Sequence, residues 1–187
     1  SLDSETSEYL NALMDRVEAV GDRFDILQDF SRGERGVHPS EVICLNRYLR
    51  DFYHSNLPDM ELSGLSFRLH LPIEDILIQG KPDRLRVALE NLCYNALFFT
   101  PADGTVTLEL EQEESQAIIT VQDTGIGIAA EDLPHVFERG FTHRIDCSSD
   151  GLGLYLVRII ALEHGGSVDA TSQVGKGSKF ILRLPAL

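Results

Sequence analysis

The sequence predicts an α+β fold preceded by a long amphipathic helix, and three observations predict it. From about residue 40 onward, stretches with helical periodicity interleave with short runs rich in β-branched and apolar residues. Two pairs of such runs, 105–110 with 116–122 and 167–172 with 178–184, are joined by polar or glycine-containing turns, the pattern of hairpins. Between Tyr9 and Phe30, Leu10, Leu13, Val17, Val20, Phe24 and Leu27 recur at alternating spacings of three and four, a narrow seam suited to a partner helix. One amphipathic helix lying on its own domain is the alternative for that segment.

Taken in order, Gly33 and Gly36 end the first helix. Ser40 and Glu41 are expected to open a second helix running to about Ser55, with Val42, Ile43, Leu45, Leu49 and Phe52 as its buried stripe and Pro58 as its stop. Residues 66–71 alternate as a half-exposed strand, and 75–79 read as another before the turn at Gly80. Pro82 at a first helical position, followed by Leu85, Leu89, Leu92 and Ala96, predicts a helix to about Phe98 that ends at Thr100-Pro101. After the first hairpin come a short helix near 131–137 and an irregular polar stretch, 139–150, expected to be a mobile loop. Gly151-Leu152-Gly153-Leu154 then opens a helix to about His164, capped by Gly165-Gly166, and the second hairpin turns at Val174-Gly175-Lys176-Gly177.

At 187 residues the chain is long enough for one well-buried domain and an appendage. Its 43% hydrophobic and 25% charged residues are those of an ordinary soluble protein, and no segment approaches the roughly 20 apolar residues of a membrane span. The opening Ser1-Leu2-Asp3-Ser4-Glu5 does not read as a signal peptide. A formal net charge of −14 argues against a nucleic-acid surface and requires any polyphosphate ligand to be met by a local positive site or a metal ion. Cys44, Cys93 and Cys147 are scattered and lack Cys-x-x-Cys spacing, so neither a disulfide framework nor a zinc site is expected, and a reducing cytoplasm fits best.

The most informative stretch is Val121 to Ile128. A buried strand ends at Asp123, and Gly125 and Gly127 remove side chains just beyond it, so backbone can approach a ligand closely. One carboxylate there can accept a hydrogen bond from an amine, although Asp-x-Gly-x-Gly alone equally describes a plain turn. Upstream, Asn91 and Asn95 lie four apart and share a helical face, so both amides can point into one pocket. Downstream, Gly151 and Gly153 sit where a loop becomes a helix, whose free N–H groups suit phosphate oxygens.

Taken in sequence, Asn91-Leu92-x-x-Asn95-Ala96, Asp123-x-Gly125-x-Gly127, Phe137-Glu138-x-x-Phe141-Thr142 and Gly151-Leu152-Gly153-Leu154 resemble the ATP-binding domain of sensor histidine kinases. Asp83 to Arg86, His164-Gly165-Gly166 and Gly175-x-Gly177-Ser178-x-Phe180 extend the resemblance from about residue 40 to 187. It implies the Bergerat fold, a two-layer α/β sandwich with a mixed sheet packed on helices, over a catalytic domain at 37–187. The fold is shared with gyrase, MutL and Hsp90-type ATPases.

The same resemblance implies Mg2+ and ATP as ligands. Asp123 would take the adenine amine, Asn95 the magnesium, and Gly151 and Gly153 the phosphates. Phe99, Gly125, Gly127, Ile128, Leu154 and Ser178 would complete the nucleotide contacts, and Arg144 would supply a cation. In the ATPases of the superfamily a glutamate four residues before the metal-binding asparagine activates water. Here that position is Asn91, as in the kinases, so phosphoryl transfer to histidine is the expected chemistry. Glu90 is adjacent but about 100° away around the helix, and is left as a supporting residue.

Leu27 to Arg32 resembles the end of the second helix of the kinases' dimerisation and phosphotransfer hairpin, which assigns residues 1–36 to that hairpin and implies a homodimer. None of the six histidines is followed directly by Asp or Glu. The phosphoacceptor histidine is therefore expected on a helix outside this sequence, with a response regulator as the next partner and the chain a fragment of a longer sensor. Three departures stand out: Phe98 where relatives commonly carry lysine, His143 where threonine is usual, and Asp150 ahead of Gly151. They leave a second expectation open, a degenerate regulatory module acting by dimerisation or docking. A serine kinase that inhibits a sigma factor would share the pocket but needs no hairpin helix.

Overall fold

Strand alternation and helical periodicity resolve into eleven short elements in a computed structural model that describes residues 40–142 and 151–187. In chain order they are β1 (Glu41–Cys44), α1 (Leu45–Leu62), β2 (Ser66–His70), β3 (Leu77–Gly80), α2 (Pro82–Phe99), β4 (Thr105–Glu113), β5 (Gln116–Asp123), a 3-10 turn (Leu133–His135), α3 (Gly153–Glu163), β6 (Ser167–Gln173) and β7 (Gly177–Pro185). Five strands form one mixed sheet in the order β2-β4-β5-β7-β6. Only β2 and β4 are parallel, and the chain returns between them through β3 and α2, since parallel neighbours need a crossover.

β5 is the central strand, and its period of two decides which side chains face the core. Ala117, Ile119, Val121 and Asp123 share one face and are buried. Opposite Ile119 lie Leu110 and Leu182, and opposite Val121 lie Leu108 and Phe180, all buried as well. Leu85, Leu89, Leu92 and Ala96 of α2 and Leu156, Ile159 and Ile160 of α3 are buried with them, which makes the second layer. The fold is thus the expected α+β sandwich of a mixed sheet on helices. No helix among the described residues is long and apolar enough to cross a membrane.

Three local expectations are corrected. Glu41–Cys44 is a strand rather than a helix start: it pairs antiparallel with β3, Ile43 against Ile78, and leaves Val42 exposed. Two consecutive β-branched residues next to an available edge fit a pleated strand better than a first helical turn. Pro58 lies inside α1 and does not stop it. Packing outweighs its cost of about 3 kcal/mol, because the extra turn buries Met60 and delivers Leu65 to the core. Near 131–137 only a three-residue 3-10 turn forms, around Pro134. The helix expected at residues 9–30 lies outside the described residues.

One polar residue anchors α1. Asn46 is buried, donates through Nδ2 to the carbonyls of Pro72 (3.0 Å) and Glu74 (3.1 Å), and accepts from the Ile76 N–H at 3.0 Å through Oδ1. It ties the irregular 72–76 segment, which no ladder satisfies, to a helix. Asn46→Ala is expected to cost about 2–3 kcal/mol, the penalty for leaving such groups unpaired. Urea unfolding should show a lower midpoint with an unchanged slope.

Candidate functional site

α2 carries a stripe of three residues at intervals of four, Asn91, Asn95 and Phe99, and the candidate site is laid out along it. Such residues face the same side of a helix and here span about 12 Å from first to last at 1.5 Å per residue. At the near end, Asn91 is buried and its Nδ2 donates to the Val87 carbonyl at 2.7 Å. Its Oδ1 stands against Gly153, where an added Cβ would lie only 2.8 Å from it. Asn95, half-buried, makes no hydrogen bond among the described residues. At the far end the Phe99 carbonyl accepts from the Ile126 N–H at 3.1 Å and lies so close to Gly125 that a Cβ would come within 2.4 Å of it.

Asp123 is delivered to that far end by β5. Its Oδ1 accepts two main-chain hydrogen bonds, from Gly125 N–H at 2.8 Å and Ser178 N–H at 3.2 Å. Burial pushes its pKa above the ordinary value of 3.8, and the two N–H donors pull part of the way back. The pair β5 and β7 meets here through Gly177, whose φ is +99° and whose Cβ, if present, would fall 2.0 Å from the Asp123 carbonyl oxygen. A side chain at that position is excluded twice, by the backbone conformation and by space.

Ser178 and Ser172 finish this wall. The Ser172 hydroxyl accepts from Ile128 N–H at 2.8 Å, donates to the Gly177 carbonyl at 2.8 Å and lies 3.0 Å from the Ser178 hydroxyl. Ser172 was not singled out by sequence. Its signal is the register that sets it opposite Ser178, which is legible only after the strands are paired.

At the near end, α3 begins at Gly153 with its first turn beside Asn91, and Leu154 is half-buried there. Gly151 has φ +65° and rests on Gly140, whose N–H donates to the Gly151 carbonyl at 3.1 Å. Gly140 and Gly151 are thereby joined main chain to main chain. Arg144, and the loop behaviour expected of 139–150 beyond Thr142, lie outside the described residues, as do His143 and Asp150. Glu90 is turned away: it is exposed and its Oε1 pairs with Arg86 Nε at 2.9 Å. Phe98 is 46% exposed and meets Phe99 edge to face at 5.0 Å.

Asn91 and Gly153 therefore adjoin at one end of the stripe, and Phe99, Gly125, Asp123 and Ser178 at the other. A hollow of about 340 Å3, between the 3-10 turn and β6, is lined by none of these residues. Sheet and helix layer together define a two-layer α+β domain.

Comparison with known proteins agrees. Residues 80–187 match the family described as histidine kinase-, DNA gyrase B-, and HSP90-like ATPase. The chain is 34% identical over 194 residues to the sensor histidine kinase RppB of Synechocystis sp., covering 98% of this chain and 43% of that protein. It is 38% identical over 109 residues to the sensor protein SrrB of Staphylococcus aureus, covering 55% of this chain and 18% of that protein. Among solved structures, the nucleotide-free catalytic domain of histidine kinase ThkA superposes with a TM-score of 0.71 at 25% identity, covering 78% of this chain and 95% of that one. Full-length ShkA in complex with AMPPNP gives 0.75 at 25% identity, covering 97% of this chain and 39% of that one. The chain belongs to the histidine kinase-, DNA gyrase B- and HSP90-like ATPase family, in the form found in sensor histidine kinase catalytic domains. It spans less than half the length of these curated relatives.

Two outcomes test the wall around Asp123. A carboxyl whose folded pKa is raised contributes stability present below its unfolded pKa and lost as pH rises through the folded value. Asp123→Asn keeps an Oδ1 acceptor for both N–H groups without the buried charge. Relative to wild type its melting temperature should therefore gain as pH rises from 4 to 8, with the gap closing at the acid end. Gly177→Ala should lower stability by about 2–4 kcal/mol through strain and overpacking, measured by denaturant unfolding.

Proposed function

We propose that this chain is the catalytic core of a two-component histidine kinase, in which ATP lies along the α2 stripe and gives its γ-phosphoryl group to a histidine. The observation that carries the proposal is the placement of a buried, main-chain-held carboxylate and a glycine-cleared helix start at opposite ends of the Asn91–Phe99 stripe. Asp123 accepts from the exocyclic amine of adenine, in the space kept open by Gly125, with Gly127, Ile128, Phe99 and Ser178 shaping that end. At the other end the N–H groups of the first turn of α3, after Gly151 and Gly153, donate to phosphate oxygens, with Leu154 beside them. The ShkA complex with AMPPNP supports a nucleotide in this fold.

Asn95 is the residue fitted to magnesium, since its carbonyl oxygen is a hard ligand with no competing hydrogen bond among the described residues. Among those residues no group of three His, Cys, Asp or Glu side chains could cage a metal, so Asn95 would share the ion with phosphate oxygens. The ion, when bound, neutralises phosphate charge that a chain of net charge −14 does not. Asn91 is neutral, and its amide is occupied with Val87. An amide takes no proton from water, which supports an imidazole as the nucleophile. Its nitrogen bonds to the γ-phosphorus as the bridging P–O bond breaks and ADP leaves with the electron pair. Arg144 completes the set as a cation for the transferring group.

The remaining assignments belong to the same proposal. Residues 1–36 are part of a dimerisation hairpin and 37–187 the catalytic domain. The acceptor histidine lies on another helix of a longer, homodimeric sensor, the response regulator receives the phosphoryl group, and the domain works in the cytoplasm. A second reading, a non-catalytic module acting by dimerisation or docking through residues 9–30, is favoured by Phe98, a half-exposed aromatic in place of a phosphate-binding lysine.

Titration calorimetry with Mg-ATP and with adenosine tests the proposal. Asn95→Ala should weaken Mg-ATP by about tenfold or more and spare adenosine, whereas Asp123→Asn should weaken both by roughly 10–100-fold, the worth of a charged hydrogen bond. No magnesium-dependent binding by wild type, with both variants unchanged, would overturn the nucleotide reading. Binding without phosphoryl transfer to a histidine of the full-length sensor would leave the docking module.

A further inference from the structure

His164 closes α3 and is hydrogen-bonded at both ring nitrogens. Nδ1 lies 2.7 Å from the Ile160 carbonyl, and Nε2 lies 3.0 Å from the backbone nitrogen of Lys81. A carbonyl only accepts and an N–H only donates, so both partners require the same neutral tautomer, with the proton on Nδ1. Lys81 is the residue before α2, at an end without a side-chain cap. The ring also sits on Gly80, where an added Cβ would lie 2.9 Å from Cδ2 and 3.0 Å from Nε2.

This contact lies at one end of a helix pair whose other end is the meeting of Gly153 with Asn91. α3 therefore runs antiparallel to α2. From Lys81 to Asn91 is about 15 Å of helical rise and from Gly153 to His164 about 16 Å, so the two contacts are spaced alike on both helices. Between them, beside the buried Arg84, lie apolar residues such as Leu85, Leu89, Leu156 and Ile160, whose attraction is not directional. The Lys81 bond is directional and spans the two helices.

We infer that His164 is a positioning residue: it fixes how far α3 is advanced along α2, and so sets the distance from the start of α3 to Asn91 and Asn95. The inference rests on reading the cleft as a nucleotide site and adds which residue sets the spacing of its phosphate half. Asp123 is held by β5 and β7 and does not depend on that spacing.

The test separates the two halves of the ligand. Wild type, His164→Ala, His164→Asn and His164→Gln are titrated with Mg-ATP and with adenosine. Asparagine can retain the bond to Ile160 but is too short to reach Lys81, whereas glutamine can span the gap. Alanine and asparagine should weaken Mg-ATP by roughly tenfold, as loss of a supporting contact does, and glutamine should recover most of it. Adenosine should stay within about twofold throughout, as expected for independent sites. Equal losses for both ligands, or none, would overturn the inference, and the asparagine and glutamine variants decide it if alanine does not fold. A second arm needs no nucleotide: nitrogen-15 NMR of wild type should give the Nδ1–H tautomer and a Lys81 amide protected from exchange. The opposite tautomer or an unprotected amide would overturn the inference on its own. Failure of wild type to bind Mg-ATP, with the NMR result as expected, would instead count against the nucleotide reading.

Discussion

A carboxylate survives in the core of this domain because two main-chain N–H groups converge on one of its oxygens. Asp123 sits on the same strand face as Ile119 and Val121, in surroundings that penalise its charge. The donors come from Gly125, two residues on, and Ser178, on the neighbouring strand. Neither could arrive if its surroundings carried ordinary side chains. Gly125 must pass under the Phe99 carbonyl, and Gly177 must pass over the carbonyl of Asp123 itself. The glycines around this strand end are thus the condition for one buried acid, and the end of α2 is positioned by the same contacts.

That link makes α2 the common reference of the cleft. Its C-terminal end is joined to the β5 turn through Phe99, the turn before that carries Asn95, and its middle meets the entry to α3 at Asn91. Two walls with different origins, a strand end and a helix start, are thereby held at a separation that the rise of a single helix sets. Sheet packing alone would leave the helix start free to slide, because buried leucines and isoleucines resist separation far more than they resist translation along a groove.

The elements were legible wherever local chemistry agreed with tertiary context. Pro82, the leucine spacing after it and Thr100-Pro101 marked α2 nearly to the residue, and the two hairpins were written in their alternation and turns. Glu41–Cys44 was misread because Ser-Glu before an apolar pattern has the form of a helix start. Only the presence of β3 beside it, over thirty residues away in sequence, makes it a strand. Pro58 was misread for the complementary reason, that burial of Met60 is a tertiary event. Among the candidate site residues, Asn91, Asn95 and Asp123 have a chemical signature of their own and are legible as candidates in the sequence. Ser172, Asn46 and His164 act through partners 5 to 83 residues distant, and no local pattern announces those partners.

The distribution of charge along the stripe follows from the same distances. In the proposed reading, Asp123, the one buried acid among the described residues, serves the base of the nucleotide at the Phe99 end of the stripe, about 12 Å of helix from the position of Asn91. Coulomb repulsion falls with separation, so at that end Asp123 opposes the phosphates less than a carboxylate beside them would. A carboxylate at position 91 would have no such separation, since that side chain already touches the start of α3. It would place an anion against the helix end whose partial positive charge the phosphates need, and it would supply a proton acceptor for water. A neutral amide, engaged with its own helix through Val87, avoids both. In the proposed reading, the residue that supplies no base for water is thus the same one that leaves the helix start free for phosphate, and the phosphoryl group waits for a nucleophile brought from elsewhere.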